Sequence, residues 1–452
     1  MMRGRWLWAS LLGSVLATSN AAAATEPEKR PEPDYDGRGG PKQTPAQKAL
    51  WVPRILLSPL YFVSEFVVRR PLGFAITAAE KANLPSELYD FFAFGPDHKA
   101  GIVPIAFVDF GFEPSVGLYG FWDDAGFKGH QLRLRGSTWG ADWLSGTATE
   151  RFVFDSRFEL TLSGTLTRRP DYAFYGVGPD TRESALSRYS SDSADARAQT
   201  RLTFAGSSLL ETSLGYHGAS FGHSDYDDRR RGHEDYQPSV EEAAAAGDFA
   251  LPPGFVGGYR SPQTHTRLVL DSRGKATSAS GVRLELLGDT GVDLKHASTS
   301  WARYGGTVGA FWDIDDSGRV LSLSGSTLFA DPLGEEQVPF TELVTLGCPA
   351  MMPGFRAGRL YGRSAAVAAL RYSWPVWVWL NGSLQVASGN VFDDHLRGFS
   401  LGRSRLSTAI GLEGVGSRDS IFQLLVGFGT ETFDSGTQID SLRVSLGARS
   451  GF

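Results

Sequence analysis

From Ile102 onward the chain is written in short stretches in which apolar and polar residues alternate. The last stretch shows the pattern. Leu442, Val444, Leu446, Ala448 and the terminal Phe452 all stand an even number of residues from the C-terminus, and Arg443, Ser445, Gly447 and Arg449 fall between them. A period of two gives an extended strand one apolar face and one polar face. Leu160, Leu162 and Leu166 oppose Glu159, Thr161, Ser163, Thr165 and Thr167 in the same way. Leu132 and Leu134 oppose Gln131, Arg133 and Arg135, and Leu284 and Leu286 oppose Arg283 and Glu285. Helices cannot use such a pattern.

There are about sixteen such segments, each of roughly ten residues, the even count a closed antiparallel barrel requires. They run from Ile102–Gly111 and Pro114–Asp123, through Arg157–Thr167, Ala194–Ala205 and Val376–Ser388, to Asp440–Phe452. The connections between them are unequal. The odd ones include Arg168–Ser193, His223–Pro262, Ala330–Gly362 and Gly389–Arg403, whereas the even ones are tight, as at Gly206–Ser207 and Trp374–Pro375. Short turns at one end and long loops at the other are a feature of transmembrane barrels, with the short turns in the periplasm. The expected fold is all-β: a 16-stranded antiparallel transmembrane barrel over 101–452, preceded by a short helical segment.

The N-terminal region agrees with export. Arg3 and Arg5 precede an apolar run, Trp6 to Ala17, and then Ala21 to Ala24, which together read as a signal peptide over 1–24. That run is too short to span a bilayer, for which about 20 apolar residues are needed, and no later run reaches that length. Residues 25–47 are rich in Pro, Gly and charge and read as a disordered lead. Residues 48–100 hold an apolar, Pro-interrupted run from Ile55 to Val68 flanked by Arg54, Arg69 and Arg70, with Phe62 and Phe66 on its apolar part. This suits an interfacial helix on the inner leaflet, or equally a helix packed on the barrel's periplasmic rim or plugging its mouth. A second helical piece is expected over Ser86–Phe94.

Composition removes other classes. A mean hydropathy of −0.18 fits a barrel, because its strands hide apolar residues at every second position. The single cysteine, Cys348, excludes an internal disulfide and a cysteine-based zinc site. A net charge of −6 offers no basic surface for nucleic acid. Asp313-x-Asp315-Asp316-Ser317-Gly318 reads as a hairpin turn rather than a calcium loop, since Ser324 stands where a bidentate Glu is expected. The loop from His223 to Asp248 carries His223, Asp225, Asp227, Asp228, His233, Glu234 and Asp235, a solvated acidic loop or a weak divalent-cation site. No catalytic residue, metal ligand or cofactor is assigned, and an enzyme is not expected.

Three further segments carry a resemblance. Pro353-Gly354-Phe355-Arg356-Ala357-Gly358-Arg359-Leu360, with Gly362-Arg363-Ser364, resembles the sixth outer loop of the BamA/TamA (bacterial surface-antigen) barrel superfamily. In that family this loop joins strands eleven and twelve of sixteen, which is where the independent count puts it. Phe174-Tyr175-Gly176-Val177-Gly178-Pro179-Asp180-Thr181 resembles a Tyr-Gly-x-Gly stretch of these barrels, and Gly389-Asn390-Val391-Phe392 the top of their strand thirteen. Leu442, Val444, Leu446 and Phe452 would then form the C-terminal signal read by the outer-membrane assembly machinery, although Ser450 replaces a frequent aromatic. The resemblance also implies a weak seam between first and last strands. It implies outer-membrane lipids, and client proteins or lipids, as partners. The family's periplasmic receptor domains have no room between Ala24 and Gly101, so the chain reads as a short member.

One departure is informative. Family members place an Arg before the Gly-Phe of the loop, set against an Asp on strand thirteen; here these positions hold Pro353 and Ala387. Either charge alone would be buried without its partner at a cost of several kcal/mol, so losing both is consistent. The loop can still fold inward, held by Arg356, Arg359 or Arg363 on other lumen acceptors, or these arginines can simply line a wet lumen. Two functions follow: an insertion or translocation device for outer-membrane proteins or lipids, or a passive channel or structural barrel that has lost that machinery. Deleting Phe452 is expected to slow assembly into the heat-resistant barrel, read as a mobility shift on unheated gels. Assembly at the full-length rate would contradict the tail reading.

Overall fold

The computed structural model describes residues 74, 91–95, 97–226, 232, 234, 236–274, 280–296, 299–314, 316–347, 351–377, 380–414 and 421–449. The leader, the lead, Phe62, Phe66, Arg69 and Arg70 of the interfacial segment, Cys348, Asp227, Asp228, His233 and Asp235, and the terminal Phe452 lie outside them.

Strands β1 (Ala100–Asp109), β2 (Ser115–Asp123), β3 (His130–Thr138) and β4 (Leu144–Val153) begin the barrel. They are followed by β5 (Phe158–Phe174), β6 (Ser187–Phe204), β7 (Ser208–Gly222) and β8 (Tyr259–Asp271). Next come β9 (Gly281–Val292), β10 (Ser300–Ile314), β11 (Arg319–Pro332) and β12 (Ser364–Trp377). The barrel ends with β13 (Leu380–Phe392), β14 (Arg405–Gly414), β15 (Ile421–Thr432) and β16 (Ile439–Arg449). Each strand pairs antiparallel with the next, and β16 returns to β1, giving a closed sixteen-stranded barrel. The closing pair is short. Among the described residues Ser445–Asp109, Leu446–Val108 and Gly447–Phe107 pair across it, with one more bond from the Phe110 amide to the Val444 carbonyl (2.9 Å), whereas β1 and β2 pair from Ala100–Trp122 to Phe107–Ser115.

The solvent pattern is the reverse of a water-soluble sheet. Leu118, Leu134, Leu166, Leu214, Val308, Leu323 and Leu442 point outward and are exposed, while Arg133, Thr149, Arg151, Glu211, Gln385 and Ser445 of the neighbouring positions are buried inside. An outer wall this apolar, with every strand edge paired, suits hydrocarbon as its solvent. The inner wall is divided. From β3 to β10 it carries paired charges, such as Arg267 between Glu211 (3.0 Å) and Glu285 (2.7 Å). From β12 to β15 it is built of Ala365, Ala369, Ala387, Ser407, Gly427 and Gly429, leaving room for a loop to lie on it.

Three expected boundaries move. β5 and β6 continue as a paired ribbon to Phe174 and from Ser187, into the expected loop Arg168–Ser193. Backbone pairing needs no apolar face, so the alternation marks only the membrane-facing part of a strand; the ladder shifts register between Arg169 and Tyr172, around Pro170. Trp374 and Pro375 are not a turn: they pair with Gly382 and Asn381, and the reversal follows Trp377. At the start, Phe91 and Phe92 are helical, but Ala93–Phe94 forms a short strand on Gly101 and Ala100. As expected, the segment at Asp313 is a hairpin turn, with Asp313 Oδ1 accepting from the Gly318 amide at 2.9 Å.

The two faces give a direct contrast. Leu214→Arg, in the middle of β7 on the outer wall, is expected to cost about 2–4 kcal/mol in unfolding from lipid bilayers. Gln199→Glu, on the inner wall, should stay within about 0.5 kcal/mol, as for an ordinary wetted surface. Equal costs would mean that the outer wall does not face lipid.

Candidate functional site

The connection between β11 and β12, residues 333–363, does not project away from the barrel. It folds back as a ribbon in which Val344–Leu346 pairs with Leu360–Gly362, and its tip enters the lumen. Three of its parts are anchored differently.

The entry is held by aromatic packing and one acid. Phe340 is fully buried against the rings of Phe174 (5.5 Å), Tyr189 (5.4 Å) and Phe221 (4.9 Å), and Phe255, Tyr259 and Tyr361 complete the cluster. Such ring pairs contribute about 0.5–1.5 kcal/mol each beyond area burial. The loop between β7 and β8 supplies Phe255 and, from helix α1 (Val240–Ala246), Val240. Ser239 and Glu242 form a reciprocal cap at the start of that helix, so part of the acidic loop is a packed lid. Among the described residues no group of three His, Cys, Asp or Glu side chains could hold a metal ion. Glu342 then reaches the inner wall beside β11, accepting from Tyr259 Oη at 2.7 Å and Gln263 Nε2 at 3.0 Å on β8, with Arg303 of β10 at 3.4 Å.

The tip lies on β14 and β15. Pro353, Gly354 and Phe355 are buried, and the Gly354 amide donates to Ser407 Oγ at 2.8 Å. A Cβ at Gly354 would collide with the Phe428 carbonyl, and one at Gly429 with the Phe355 ring, so two glycines make this seat flat. Ala387 faces the same seat. It packs in one apolar cluster with Leu346, Met352 and Phe355, so apolar contact occupies the place of the missing Arg–Asp pair.

The exit is held by charge, and here the three resembling segments meet. Arg359 is wholly buried, with ion pairs to Glu183 (3.1 Å) and Asp440 (3.1 Å). Its Nη1 and Nη2 donate to Thr181 Oγ1 and O at 2.8 and 3.0 Å, and its guanidinium lies 4.9 Å from the Tyr175 ring centroid. Asn390 and Arg405 both donate to the Pro179 carbonyl, and Arg405 pairs with Glu431 at 2.9 Å. Gly358 takes a left-handed φ of 84° against the Ala173 carbonyl, and a side chain at Gly389 would strike the β12 backbone. Of the three arginines proposed from sequence, Arg359 is the anchor. Arg356 is more loosely placed, 3.8 Å from Glu183, and Arg363 pairs with Asp331 at the lip (3.1 Å). Burial pushes the Glu183 carboxyl above its usual range and the Tyr175 phenol up to about 12.

One contact was missed in the sequence. Arg443 on β16 is buried; its Nη2 donates to Asp109 Oδ2 on β1 at 2.9 Å. Its Nη1 donates to the loop carbonyls of Gly347 and Phe355 at 3.0 and 3.3 Å. A single guanidinium therefore joins the last strand, the first strand and the loop. Alternation places Arg443 and Asp109 on the inner face, but not opposite each other. Leu442 and Leu446 face outward, as their pattern requires.

The class this architecture defines is the outer-membrane β-barrel, with an inward sixth loop. Among solved structures, the barrel is similar to "BamA from Haemophilus ducreyi lacking POTRA domains 1-3", with a TM-score of 0.52 and 14% identity over 77% of this chain and 70% of that one. It also aligns with CdiB from Acinetobacter baumannii (TM-score 0.46, 11% identity, 77% and 59% covered) and with Wzi of Escherichia coli, a carbohydrate-binding β-barrel of group 1 capsule assembly (0.34, 8%, 82% and 87%). At these identities the likeness to BamA is one of fold. The sequence matches no protein-family model and no curated protein.

Two outcomes follow. Pro353→Arg alone buries an unpaired charge and should destabilise the barrel; adding Ala387→Asp should recover part of the loss, with a coupling above about 0.5 kcal/mol in a double-mutant cycle. Absence of coupling would mean that these positions do not face each other. The second concerns pH. Glu183 has its raised pKa when the loop is docked and an ordinary one when it is released, so docking is favoured below the ordinary value and loses that contribution as pH rises through the raised one. Protease protection of 351–362 should therefore hold or increase from pH 7 to pH 5. Release on mild acidification would contradict this arrangement.

Proposed function

We propose that this chain is an exported outer-membrane protein, with its short turns in the periplasm, that inserts or translocates outer-membrane proteins or lipids. It acts on clients through its seam and loop, without a catalytic residue or cofactor of its own, and the assembly machinery handles it during biogenesis. The supporting observation is the seam. Among the described residues β16 meets β1 through three residue pairs, and the arginine that braces them also holds the sixth loop. Weak pairing across one edge of a barrel leaves strand hydrogen-bonding groups available to an incoming strand.

A passive channel is the second reading, favoured by the apolar contact at Ala387 where the family pair is missing. Against it stand the sixth loop, whose tip is buried against the inner wall, and the aromatic cluster packed around its entry.

Cysteines at Val108 and Leu446, which pair across the seam, allow a test. In liposomes, the reduced protein should accelerate folding of an unfolded barrel client, and the crosslinked protein should not. Steady conductance in planar bilayers, with no effect of the crosslink on client folding, would favour the channel.

A further inference from the structure

The membrane-facing wall of β4–β7 carries a furrow of about 580 Å³. Its floor is small, formed by Ala148, Gly164, Ala196 and Ala198, and Leu162 and Leu214 stand as ridges beside it. One carboxylate, Glu150, lines it; Arg197, the one basic residue of the lining, stands at an inner-facing position opposite Ser163 and Gly215. Glu150 sits on the outer face, opposite Leu132 on β3 and Leu162 on β5. Among the described residues it makes no hydrogen bond and no ion pair, whereas Glu211 on the inner face of β7 is held by Arg267. An ionisable side chain on a lipid-facing wall is costly and calls for a partner.

Its depth limits what that partner can be. The next outward residue toward the short turn is Phe152, stacked on His130 at 4.8 Å and near Phe127 at 6.2 Å; Phe154 and Phe158 are exposed just beyond. These rings form the aromatic girdle at that end of the barrel. Glu150 thus lies one outward position inside the girdle, at the boundary of head groups and hydrocarbon, and the furrow rises from it toward the bilayer centre. An apolar channel ending in a lone carboxylate at that depth matches an amphiphile with an acyl chain and a cationic head.

We propose that the furrow binds a phospholipid with an ammonium head group, of the phosphatidylethanolamine class. One acyl chain lies on the Ala/Gly floor between the leucine ridges, and the ammonium pairs with Glu150, offsetting its cost. The assignment of this lipid to the periplasmic leaflet rests on the orientation given above; the furrow and its carboxylate do not. A resident lipid here would fix a patch of annular bilayer against the wall, on the side β4–β7.

The test uses the full chain in nanodiscs of equal parts phosphatidylethanolamine and phosphatidylglycerol with identical acyl chains, and counts retained lipids by native mass spectrometry. The wild type should retain the ethanolamine lipid over the glycerol lipid by about fivefold, equivalent to about 1 kcal/mol. Glu150→Gln should erase the preference while a lipid is still retained, and Ala196→Phe, which fills the floor, should lose both lipids. Heat-modifiable mobility must stay at the wild-type value in each variant; Ala196→Val replaces Ala196→Phe if it does not. No preference in the wild type, an unchanged preference in Glu150→Gln, or a doubled mass that Ala196→Phe abolishes, marking a second copy in the furrow, would overturn the proposal. The protein crosslinked at Val108 and Leu446 should keep the same lipid preference, so a failure of client insertion leaves this result standing.

Discussion

Arg443 grips two elements at once, the first strand and the sixth loop. Toward β1 it meets Asp109, beside the three residue pairs that close the sheet; toward the lumen it holds the carbonyls of Gly347 and Phe355. A guanidinium suits this position because its planar fork can donate in two directions at once, which an ammonium on a flexible stem cannot do with the same geometry. Its side chain is 3% exposed and that of Asp109 is 9% exposed, so removing either partner would strand a buried charge, at roughly 3–5 kcal/mol. The loop thus serves as one of the supports of the seam, and the seam as one of the supports of the loop.

The remaining anchors fit that arrangement. Glu342 fixes the loop's entry to β8 and β10, and Arg359 fixes its exit to Asp440 on β16 and to the loop after β5. Between them the tip rests on a wall of glycine, alanine and serine, where close approach replaces the charge pair of the resembling family. Charge at the two ends sets register, and apolar contact in the middle supplies area. This division also explains why Pro353 and Ala387 can stand without charges: the burial of Met352, Phe355 and Leu346 fills the space that an ion pair would need.

Most of the architecture was legible in the alternation, because a barrel strand must place one face in lipid and the other in the lumen. The period broke down where that requirement ends: β5 and β6 run on beyond the membrane through Tyr172 and Tyr189, and Pro375 sits inside a paired strand next to a register shift. The sixth loop, Asn390 and the stretch around Thr181 were legible as motifs, and the fold brings them to one place. Arg443, Asp109, Glu342, Arg405 and Asp440 were not singled out. Arg443, Asp109 and Arg405 each look like one more polar residue on an inner face, Glu342 is one more acid in a long loop, and Asp440 shares the parity of the outward Leu442 and turns inward only at a register shift; closure of the sheet decides which of them oppose one another.

Hydrogen exchange in bilayers, followed by mass spectrometry, measures the coupling of loop and seam most directly. In Arg443→Ala, peptides covering 351–360 and 440–449 should lose protection together and to a similar extent, while peptides from β7–β9 keep theirs. Loss of protection in the seam with the loop unchanged, or in the loop with the seam unchanged, would contradict the account.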